Sequence, residues 1–279
     1  MTIVIKQVND LKNVLAKAER SIGFVPTMGA LHDGHISLIK AAELDCKTTV
    51  VSIFINPLQF GPTEDYEKYP RNLSDDLRIC EENKVDFVFI PDEKEIYPSA
   101  DFKPIVPPER LASDLCGRTR ENHFRGVATV VKRFFDIVCP DYAYFGEKDL
   151  QQLYLIRWLV KEFKLPIFIR AGLTIRESDG LACSSRNRYL TDRERKLAPV
   201  LYKSLVLAKR DVHSGIFTVN KAMLEGLISL AKYPEIKVEY FEARDKESFG
   251  KVDENKMKSF YFLIAARIGN VRLIDNIEV

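Results

Sequence analysis

The sequence predicts an α/β protein in which a parallel sheet, with helices on both faces, precedes a smaller α+β domain. Short unbroken apolar runs, rich in β-branched and aromatic residues, alternate with segments of helical apolar spacing. This alternation is typical of a doubly wound parallel sheet. After about residue 174 the pattern changes to helices followed by alternating strands, which indicates a second domain.

Five apolar runs are predicted as buried strands: 21–26, 48–55, 85–91, 142–146 and 166–172. Four segments are predicted as helices: GHISLIKAAELDC, LSDDLRICEENK, GVATVVKRFFDIV and KDLQQLYLIRWLVKEF. Two long irregular segments, 56–71 and about 91–125, follow strand ends. Loops of this length are uncommon unless they have a function, so we expect a lid in this region. Ligands of such sheets lie at the carboxyl ends of the strands, where these loops begin.

The C-terminal part opens with a helix over TDRERKLAPVLYKSLVLAKRDV, in which Thr191 and Glu194 form a capping-box pattern. KVEYFEAR, FYFLIAAR and VRLIDNI then alternate like strands. We therefore place a larger domain at 1–174 and a smaller one at 175–279.

Composition excludes several classes of protein. The 279 residues are 46% hydrophobic and carry a net charge of only +2, which does not favour a nucleic-acid partner. No run is long enough to span a membrane, and the N-terminus lacks the apolar core of a secretory signal, so a cytoplasmic location is expected. The five cysteines are scattered without a CxxC pair, which favours reduced thiols.

The motif TMGALHDGH, residues 27–35, connects a predicted strand to a predicted helix. Unpaired N–H groups at a helix start attract anions, and glycines let a phosphate approach the backbone. His32 and His35 add hydrogen-bond donors for a phosphate. A plain glycine turn is the alternative; a two-histidine metal site is disfavoured because neither His123, His213 nor a carboxylate cluster completes it.

Three further motifs carry candidate polar groups. FGEKD places Lys148 and Asp149 at a helix start, where they suit a phosphate and a ribose hydroxyl or simply a solvated first turn. DGLACSSRNRYL offers Ser184, Ser185 and Arg186 as a phosphate clamp, or else a surface loop. NPLQFG contributes the neutral side chains of Asn56 and Gln59, which suit a polar substrate.

For three further residues the sequence supports only less specific predictions. Cys183 lacks a local base and is interpreted as a packing residue, not a nucleophile. Arg120 and His123 lie on the second long loop, where they are expected either to bind an acidic group of a substrate or to be solvated.

Taken in order, TMGALHDGH, FINPLQFG, HFRGVATVV, FGEKDLQQL, DGLACSSRNRYL and LIAARIGNVRLIDNI resemble the motifs of the pantoate–β-alanine ligase family, along nearly the whole chain. The resemblance implies a Rossmann-like N-terminal domain of the nucleotidylyltransferase superfamily. This superfamily is related to the class I aminoacyl-tRNA synthetases, and the sequence HDGH resembles their HIGH motif. The resemblance also implies a C-terminal lid domain, a homodimer, and an ATP- and Mg²⁺-dependent ligation of pantoate and β-alanine that releases AMP and pyrophosphate.

The family's site residues transfer by position. ATP is expected to contact Met28, Gly29, Ala30, Leu31, His32, Asp33, Gly34, His35, Gly146, Glu147, Lys148, Asp149, Ile175, Cys183, Ser184, Ser185 and Arg186. Gln59 and Gln152 are expected to hold pantoate, Gln59 also β-alanine, and His35 is the implied proton donor. Cys183 stands where the family commonly has Met or Leu, and Glu121 where proline is frequent.

The expected reaction proceeds through a pantoyl-adenylate and needs no protein nucleophile. It needs alignment of two anions and stabilisation of phosphoryl charge, for which His32, His35, Lys148 and Arg186 are the catalytic candidates. Two alternatives remain: a nucleotidyltransferase acting on a phosphorylated acceptor, and a nucleotide-sensing module without turnover.

Overall fold

A six-stranded sheet, parallel throughout, forms the centre of the first of two units, Met1–Leu173 and Thr174–Val279. The computed structural model describes residues 2–62, 64, 66–98, 103–254 and 258–279. The strands are β1 (Ile3–Ile5), β2 (Ile22–Thr27), β3 (Thr48–Ile53), β4 (Phe87–Phe89), β5 (Tyr142–Gly146) and β6 (Phe168–Gly172). The five predicted strands are confirmed, and β1 is an additional edge strand of only three residues.

Helices cover both faces of this sheet, as predicted. They are α1 (Val8–Leu15), α2 (Asp33–Asp45), α3 (Leu73–Glu82), α4 (Glu93–Ile96), α5 (Glu109–Ala112), α6 (His123–Val138) and α7 (Leu150–Glu162). The four predicted helical segments correspond to α2, α3, α6 and α7. The long segments predicted as irregular are partly helical, because they contain α4, α5 and the 3₁₀ turns Pro57–Gln59 and Leu115–Arg118. Thr63, Asp65 and residues 99–102 of these segments lie outside the described residues.

The continuous apolar character of the strands follows from burial on both faces. On one face, Val51 and Val88 join the buried Ile39 of α2 and Cys80 of α3 in a core cluster. On the other face, the ring of Phe134 from α6 packs edge-on against Phe24, Phe54 and Phe89, with centroids 5.7–6.3 Å apart. The central strands are therefore covered on both faces, whereas the edge strands β1 and β6 are partly exposed, so ligands reach the centre of the sheet at its ends.

The second unit has an antiparallel sheet of β7 (Ile236–Asp245), β8 (Phe260–Ile268) and β9 (Val271–Glu278), with helices α8 (Asp192–Leu197), α9 (Val200–His213) and α10 (Val219–Leu230). The capping box of Thr191 and Glu194 is confirmed. The single helix predicted after it is wrong: it divides into α8 and α9 at Pro199, which has no N–H to continue the first helix. Phe262 and Leu205 lie in the core of this unit.

No helix within the described ranges combines the length and apolar character that a membrane crossing requires.

Candidate active site at the switch point of the sheet

The strand order of the first sheet is β1-β4-β3-β2-β5-β6. From β2 the chain adds β3 and β4 on one side, whereas β5 and β6 extend the sheet on the other side. Parallel sheets bind ligands beyond the carboxyl ends of their strands at such a reversal point. The loop 28–32 follows β2 and the 3₁₀ turn Glu147–Asp149 follows β5. The histidine and lysine motifs therefore lie at one edge of the sheet.

Two buried acceptors hold the backbone of the loop 28–32. The hydroxyl oxygen of Thr27 accepts the N–H of Gly29 at 3.1 Å. The carboxylate of Asp76, in α3, accepts the N–H of Ala30 at 2.9 Å and that of Leu31 at 2.7 Å. Asp76 is only 3% exposed, and the sequence analysis did not identify it.

His32 and His35 cap the first turn of α2 with their own rings. Nδ1 of His32 accepts the backbone N–H of Gly34 at 3.1 Å, and Nδ1 of His35 accepts the backbone N–H of His32 at 3.3 Å. A backbone N–H can only donate, so Nδ1 carries no hydrogen in either ring, and each neutral imidazole is protonated on Nε2. The two ring centroids are 4.1 Å apart.

The cap changes how this loop can bind an anion. Within the loop and the helix start, the N–H groups of Gly29, Ala30, Leu31, His32, Gly34 and His35 are all bonded to protein acceptors. Most of the backbone donors expected to be unpaired here are therefore satisfied within the chain, by the hydroxyl of Thr27, the carboxylate of Asp76, the two imidazoles and the carbonyl of His32. The helix dipole remains, and the Nε2–H groups of the two histidines become the donors that a ligand can meet.

Burial lowers the pKa of His35 well below its usual value of 6.5, and its proximity to a second titratable imidazole, His32, and to the ammonium of Lys148 lowers this pKa further. His35 is therefore neutral at pH 7 and offers a hydrogen bond without a full charge. The positive charge at this edge comes from Lys148, whose Nζ lies 3.6 Å from the Oδ2 of the half-exposed Asp149.

Gln59 ends the 3₁₀ turn Pro57–Gln59, which follows β3, and is 8% exposed. Its Oε1 accepts a hydrogen bond from Nδ2 of Asn56 at 3.2 Å, and its Nε2 lies 2.8 Å from Sδ of Met28. A primary amide has two hydrogens on nitrogen and two lone pairs on oxygen. With respect to the described residues, one N–H and one acceptor position of Gln59 are therefore left for a ligand.

Asn56 orients Gln59 and has no hydrogen-bonding capacity to spare. Its Nδ2 also donates to the carbonyl of Gly126 at 3.1 Å, while its Oδ1 accepts the N–H of Leu58 at 3.2 Å and the hydroxyl of Tyr97 at 2.8 Å. Since all four positions are filled and Asn56 is 1% exposed, the geometry does not support the expected direct contact with substrate. Tyr97, which sequence analysis missed, joins this network from the end of α4.

A second network holds the backbone of Gln59. Nδ1 of His123 lies 2.8 Å from the carbonyl oxygen of Gln59, and Nε2 of His123 lies 3.0 Å from Nη1 of Arg120. A guanidinium only donates, so Nε2 accepts and Nδ1–H donates to Gln59. Arg120 also contacts both carboxylate oxygens of Glu64, at 2.9 and 2.6 Å. Arg120 and His123 are therefore not simply solvated: the acidic group that Arg120 binds in the structure is Glu64 of the chain itself, and His123 holds the backbone of Gln59.

Two adjacent glutamines of α7 have different surroundings. The buried Gln151 donates to the carbonyls of Leu111 and Asp114 and accepts the N–H of Cys116, so it anchors the segment around α5. The side chain of Gln152 is partly buried and makes no hydrogen bond to a described residue. Gln152 therefore has the free amide that a substrate-binding residue requires.

In the second unit, the motif residues pack against one another locally. The N–H of Cys183 donates to the carbonyl of Ile175 at 2.9 Å. Ser184 caps the 3₁₀ helix Ser185–Tyr189 by accepting the N–H of Arg186 at 3.3 Å. Cys183 and Ser185 are buried, and burial of the thiol agrees with the packing role expected for Cys183.

The described part of the chain contains no group of three or more His, Cys, Asp or Glu side chains arranged to hold a metal ion.

Comparisons with known proteins identify the family of this chain. The family model described as Pantoate-beta-alanine ligase matches residues 3–278. The curated pantothenate synthetase of Sulfurihydrogenibium sp. is 46% identical over 274 residues, which cover 98% of this chain and 97% of the relative.

Two solved structures are similar over almost the whole chain. The crystal structure of pantothenate synthetase from Thermus thermophilus has a TM-score of 0.93 at 39% identity and covers 99% of both chains. The Francisella tularensis pantoate-beta-alanine ligase, in complex with beta-gamma ATP and beta-alanine, has a TM-score of 0.82 at 35% identity and covers 99% of this chain and 97% of its own.

Proposed function

Because this chain belongs to the pantoate–β-alanine ligase family, we propose that the edge formed by the carboxyl ends of β2, β3 and β5 is where it joins its substrates. The enzyme condenses pantoate with β-alanine at the expense of ATP, and yields pantothenate, AMP and pyrophosphate. The alternative of a nucleotidyltransferase acting on a phosphorylated acceptor is not favoured. The observation that carries the proposed site is the convergence of Lys148, two imidazole N–H groups and a partly free Gln59 amide at one sheet edge.

In the first chemical step a carboxylate oxygen of pantoate attacks the α-phosphorus of ATP. The bond between the α-phosphorus and the oxygen that bridges the α- and β-phosphates breaks, pyrophosphate leaves, and the pantoyl-adenylate forms. In the second step the neutral amine of β-alanine attacks the acyl carbon, AMP leaves, and the amine releases a proton. Neither step requires a protein nucleophile, so the catalytic task is alignment and charge stabilisation.

We assign charge stabilisation to Lys148, His32 and His35. The ammonium of Lys148 supplies a point charge for phosphate oxygens. The Nε2–H groups of His32 and His35 donate hydrogen bonds that become stronger as negative charge develops on the oxygens of the leaving pyrophosphate. His35, implied as a proton donor by the family resemblance, acts in this proposal as a neutral hydrogen-bond donor, because its pKa is lowered.

We assign pantoate binding to Gln59 and Gln152. Gln59 presents one N–H and one lone pair, which match a substrate that carries both carboxylate and hydroxyl groups. Gln152 supplies a second free amide. Asn56 acts through Gln59 and makes no contact of its own with the substrate.

The remaining ATP contacts stay predictions. They comprise Met28, Gly29, Ala30, Leu31, Asp33 and Gly34 of the loop, Gly146, Glu147 and Asp149 after β5, and Ile175, Cys183, Ser184, Ser185 and Arg186 of the second unit. We propose that magnesium enters as MgATP, bound to the phosphates of the nucleotide. The homodimer, the lid role of the C-terminal domain and the cytoplasmic location also remain predictions.

One incubation tests the function directly. With ATP, β-alanine and pantoate labelled with ¹⁸O in its carboxylate, we expect equal amounts of pantothenate, AMP and pyrophosphate, with one ¹⁸O in the phosphate of AMP. Omission of pantoate should abolish AMP formation. A product that keeps the nucleotide on a phosphorylated acceptor would identify a nucleotidyltransferase, and ATP binding without turnover would identify a sensing module.

Replacement of Tyr97 by phenylalanine should weaken pantoate binding without affecting the chemical step. The change removes the hydroxyl that holds Oδ1 of Asn56, so the amide chain that orients Gln59 loosens. One lost hydrogen bond corresponds to about 1 kcal/mol, or a KM for pantoate raised roughly fivefold with kcat nearly unchanged. Steady-state kinetics with Tyr233→Phe as the control check this; a lower kcat at constant KM would contradict it.

A further inference from the structure

We propose that Asp76 is a positioning residue for the ligation: its carboxylate holds the loop that presents His32 and His35, and thereby determines which imidazole nitrogen faces the reacting phosphate. This inference rests on the proposed function, and it adds Asp76 to the residues on which the ligation depends. Asp76 touches neither reacting group in this assignment and acts through the loop.

The contacts of Asp76 are specific for a carboxylate. Each of its two oxygens accepts a different backbone N–H, Oδ2 from Ala30 and Oδ1 from Leu31, across 45 and 46 residues of sequence. A charged acceptor strengthens both hydrogen bonds, and 3% exposure keeps water from replacing it. An amide of the same shape would turn one acceptor into a donor facing another donor.

The loop needs such a partner because its backbone is unusual. Gly29 and Ala30 have φ values of +78° and +51°, in the left-handed region that a residue with a Cβ rarely adopts. A Cβ added to Gly29 would lie 2.8 Å from Oδ2 of Asp76, so the carboxylate and the glycine fit each other closely. The two successive residues turn neighbouring N–H groups toward the same acceptor, and Asp76 occupies that position.

The loop in turn sets the histidine pair. His32 follows Leu31 directly, and its backbone N–H is the donor that keeps Nδ1 of His35 unprotonated. When the path of residues 29–31 changes, this N–H turns away and the ring of His35 is free to carry its hydrogen on either nitrogen. Without Asp76, the chain therefore retains both histidines but loses their fixed orientation.

Charge favours a positioning role over a ligand-binding role. An uncompensated carboxylate beside a triphosphate site would repel the substrate. Here both oxygens face backbone N–H groups of the loop, which separates the carboxylate charge from the imidazoles that are proposed to face ATP.

The test compares Asp76→Asn with Asp141→Asn in the full-length enzyme. Asp141 is a matched control because its Oδ2 also accepts a backbone N–H of the same strand region, that of Ile22 at 2.7 Å, but at the opposite end of β2. We expect Asp76→Asn to lower kcat at least tenfold with the KM for pantoate within twofold. Asp141→Asn is expected to change thermal stability but neither kinetic constant.

Imidazole ¹H–¹⁵N spectra report the tautomer of each histidine, which a general loss of stability does not change. In the wild type, His32 and His35 should both show a hydrogen on Nε2 only, with the resonances assigned through His35→Gln. Asp76→Asn should give His35 a mixture of tautomers, because the N–H of His32 no longer holds its Nδ1 as an acceptor. Asp141→Asn should leave this spectrum unchanged.

The outcomes are distinct. If Asp76→Asn keeps the wild-type tautomers, the proposal is overturned whatever happens to activity. If the wild type makes no pantothenate, the proposed function fails, but the tautomer comparison still decides whether Asp76 positions the histidines. If Asp76→Asn does not fold, amide hydrogen exchange in the wild type decides: rapid exchange at Ala30 and Leu31 would contradict the proposal.

Discussion

The His35→Ala enzyme is expected to lose at least a hundredfold in pantoate-dependent ATP–pyrophosphate exchange. The substitution removes the Nε2–H that is proposed to stabilise charge on the phosphoryl group, and loss of one such donor costs on the order of 3 kcal/mol in the barrier. It also removes the acceptor for the N–H of His32, which costs helix-cap stability of about 1 kcal/mol. Exchange is the right assay because it reports adenylate formation before β-alanine reacts.

The variant His35→Gln separates these two effects. Glutamine at this third position of the helix can accept the N-cap N–H in a capping box, so α2 should keep its stability. Its amide cannot reproduce an imidazole Nε2–H at the same place, so the exchange rate should fall as far as in His35→Ala. His213→Gln, on the exposed end of α9, is the control. Wild-type exchange in His35→Gln would mean that His35 serves only as a cap.

The lowered pKa of His35 also has a consequence for stability. In the unfolded chain this imidazole takes up a proton near pH 6.5, whereas in the native state it does so only at a lower pH. Between these two values the unfolded state binds more protons, so the contribution of His35 to stability is complete above about pH 6.5 and is lost as the pH falls below it. The His35→Gln variant should lack this part of the pH dependence of unfolding.

The parts of the fold that were predictable from sequence depend on local pattern. β2, β3 and β5 are continuous apolar runs because both faces of the sheet are covered, and loops after such strands lie at the ligand edge by topology alone. The strand pattern alone therefore predicts that His32 and Lys148 lie at the same end of the sheet. β1 was missed because three residues carry too little pattern, and the break between α8 and α9 was missed although Pro199 was its signal.

The hydrogen-bond partners within the site could not be predicted in the same way, because they join distant segments. Asp76 occupies the first helical turn of α3, where an acid usually complements the helix dipole, and nothing local shows that it faces Ala30 and Leu31. A weak signal existed: Asp76 is four residues before the buried Cys80, on the apolar face of the helix. Asn56 is predicted from its motif to bind substrate, but tertiary contacts with Gly126 and Tyr97 use up its amide, and no local pattern indicates these contacts.

Lys148→Ala should reduce the same exchange at least a hundredfold, for a different reason. Burial and His32 lower the pKa of His35 most, and the ammonium of Lys148, which follows β5, lowers it further; we therefore propose that both side chains act on the same phosphate. Its removal takes a full charge from a partly buried site, where electrostatic interactions are stronger than in water. The loss should appear in kcat more than in the KM for pantoate, since Gln59 and Gln152 remain.

Two further measurements make the assignment of Lys148 specific. Lys148→Arg keeps the charge but changes its shape, so it should recover part of the activity, whereas Lys132→Ala, which removes a lysine paired with Asp136 on α6, should leave exchange unchanged. In Lys148→Ala the pKa of His35 should rise, because one of the charges that opposes its protonation is gone. An unchanged titration of His35 would show that the two side chains do not share a site, and the proposed joint stabilisation of the phosphoryl group would then fail even if activity were lost.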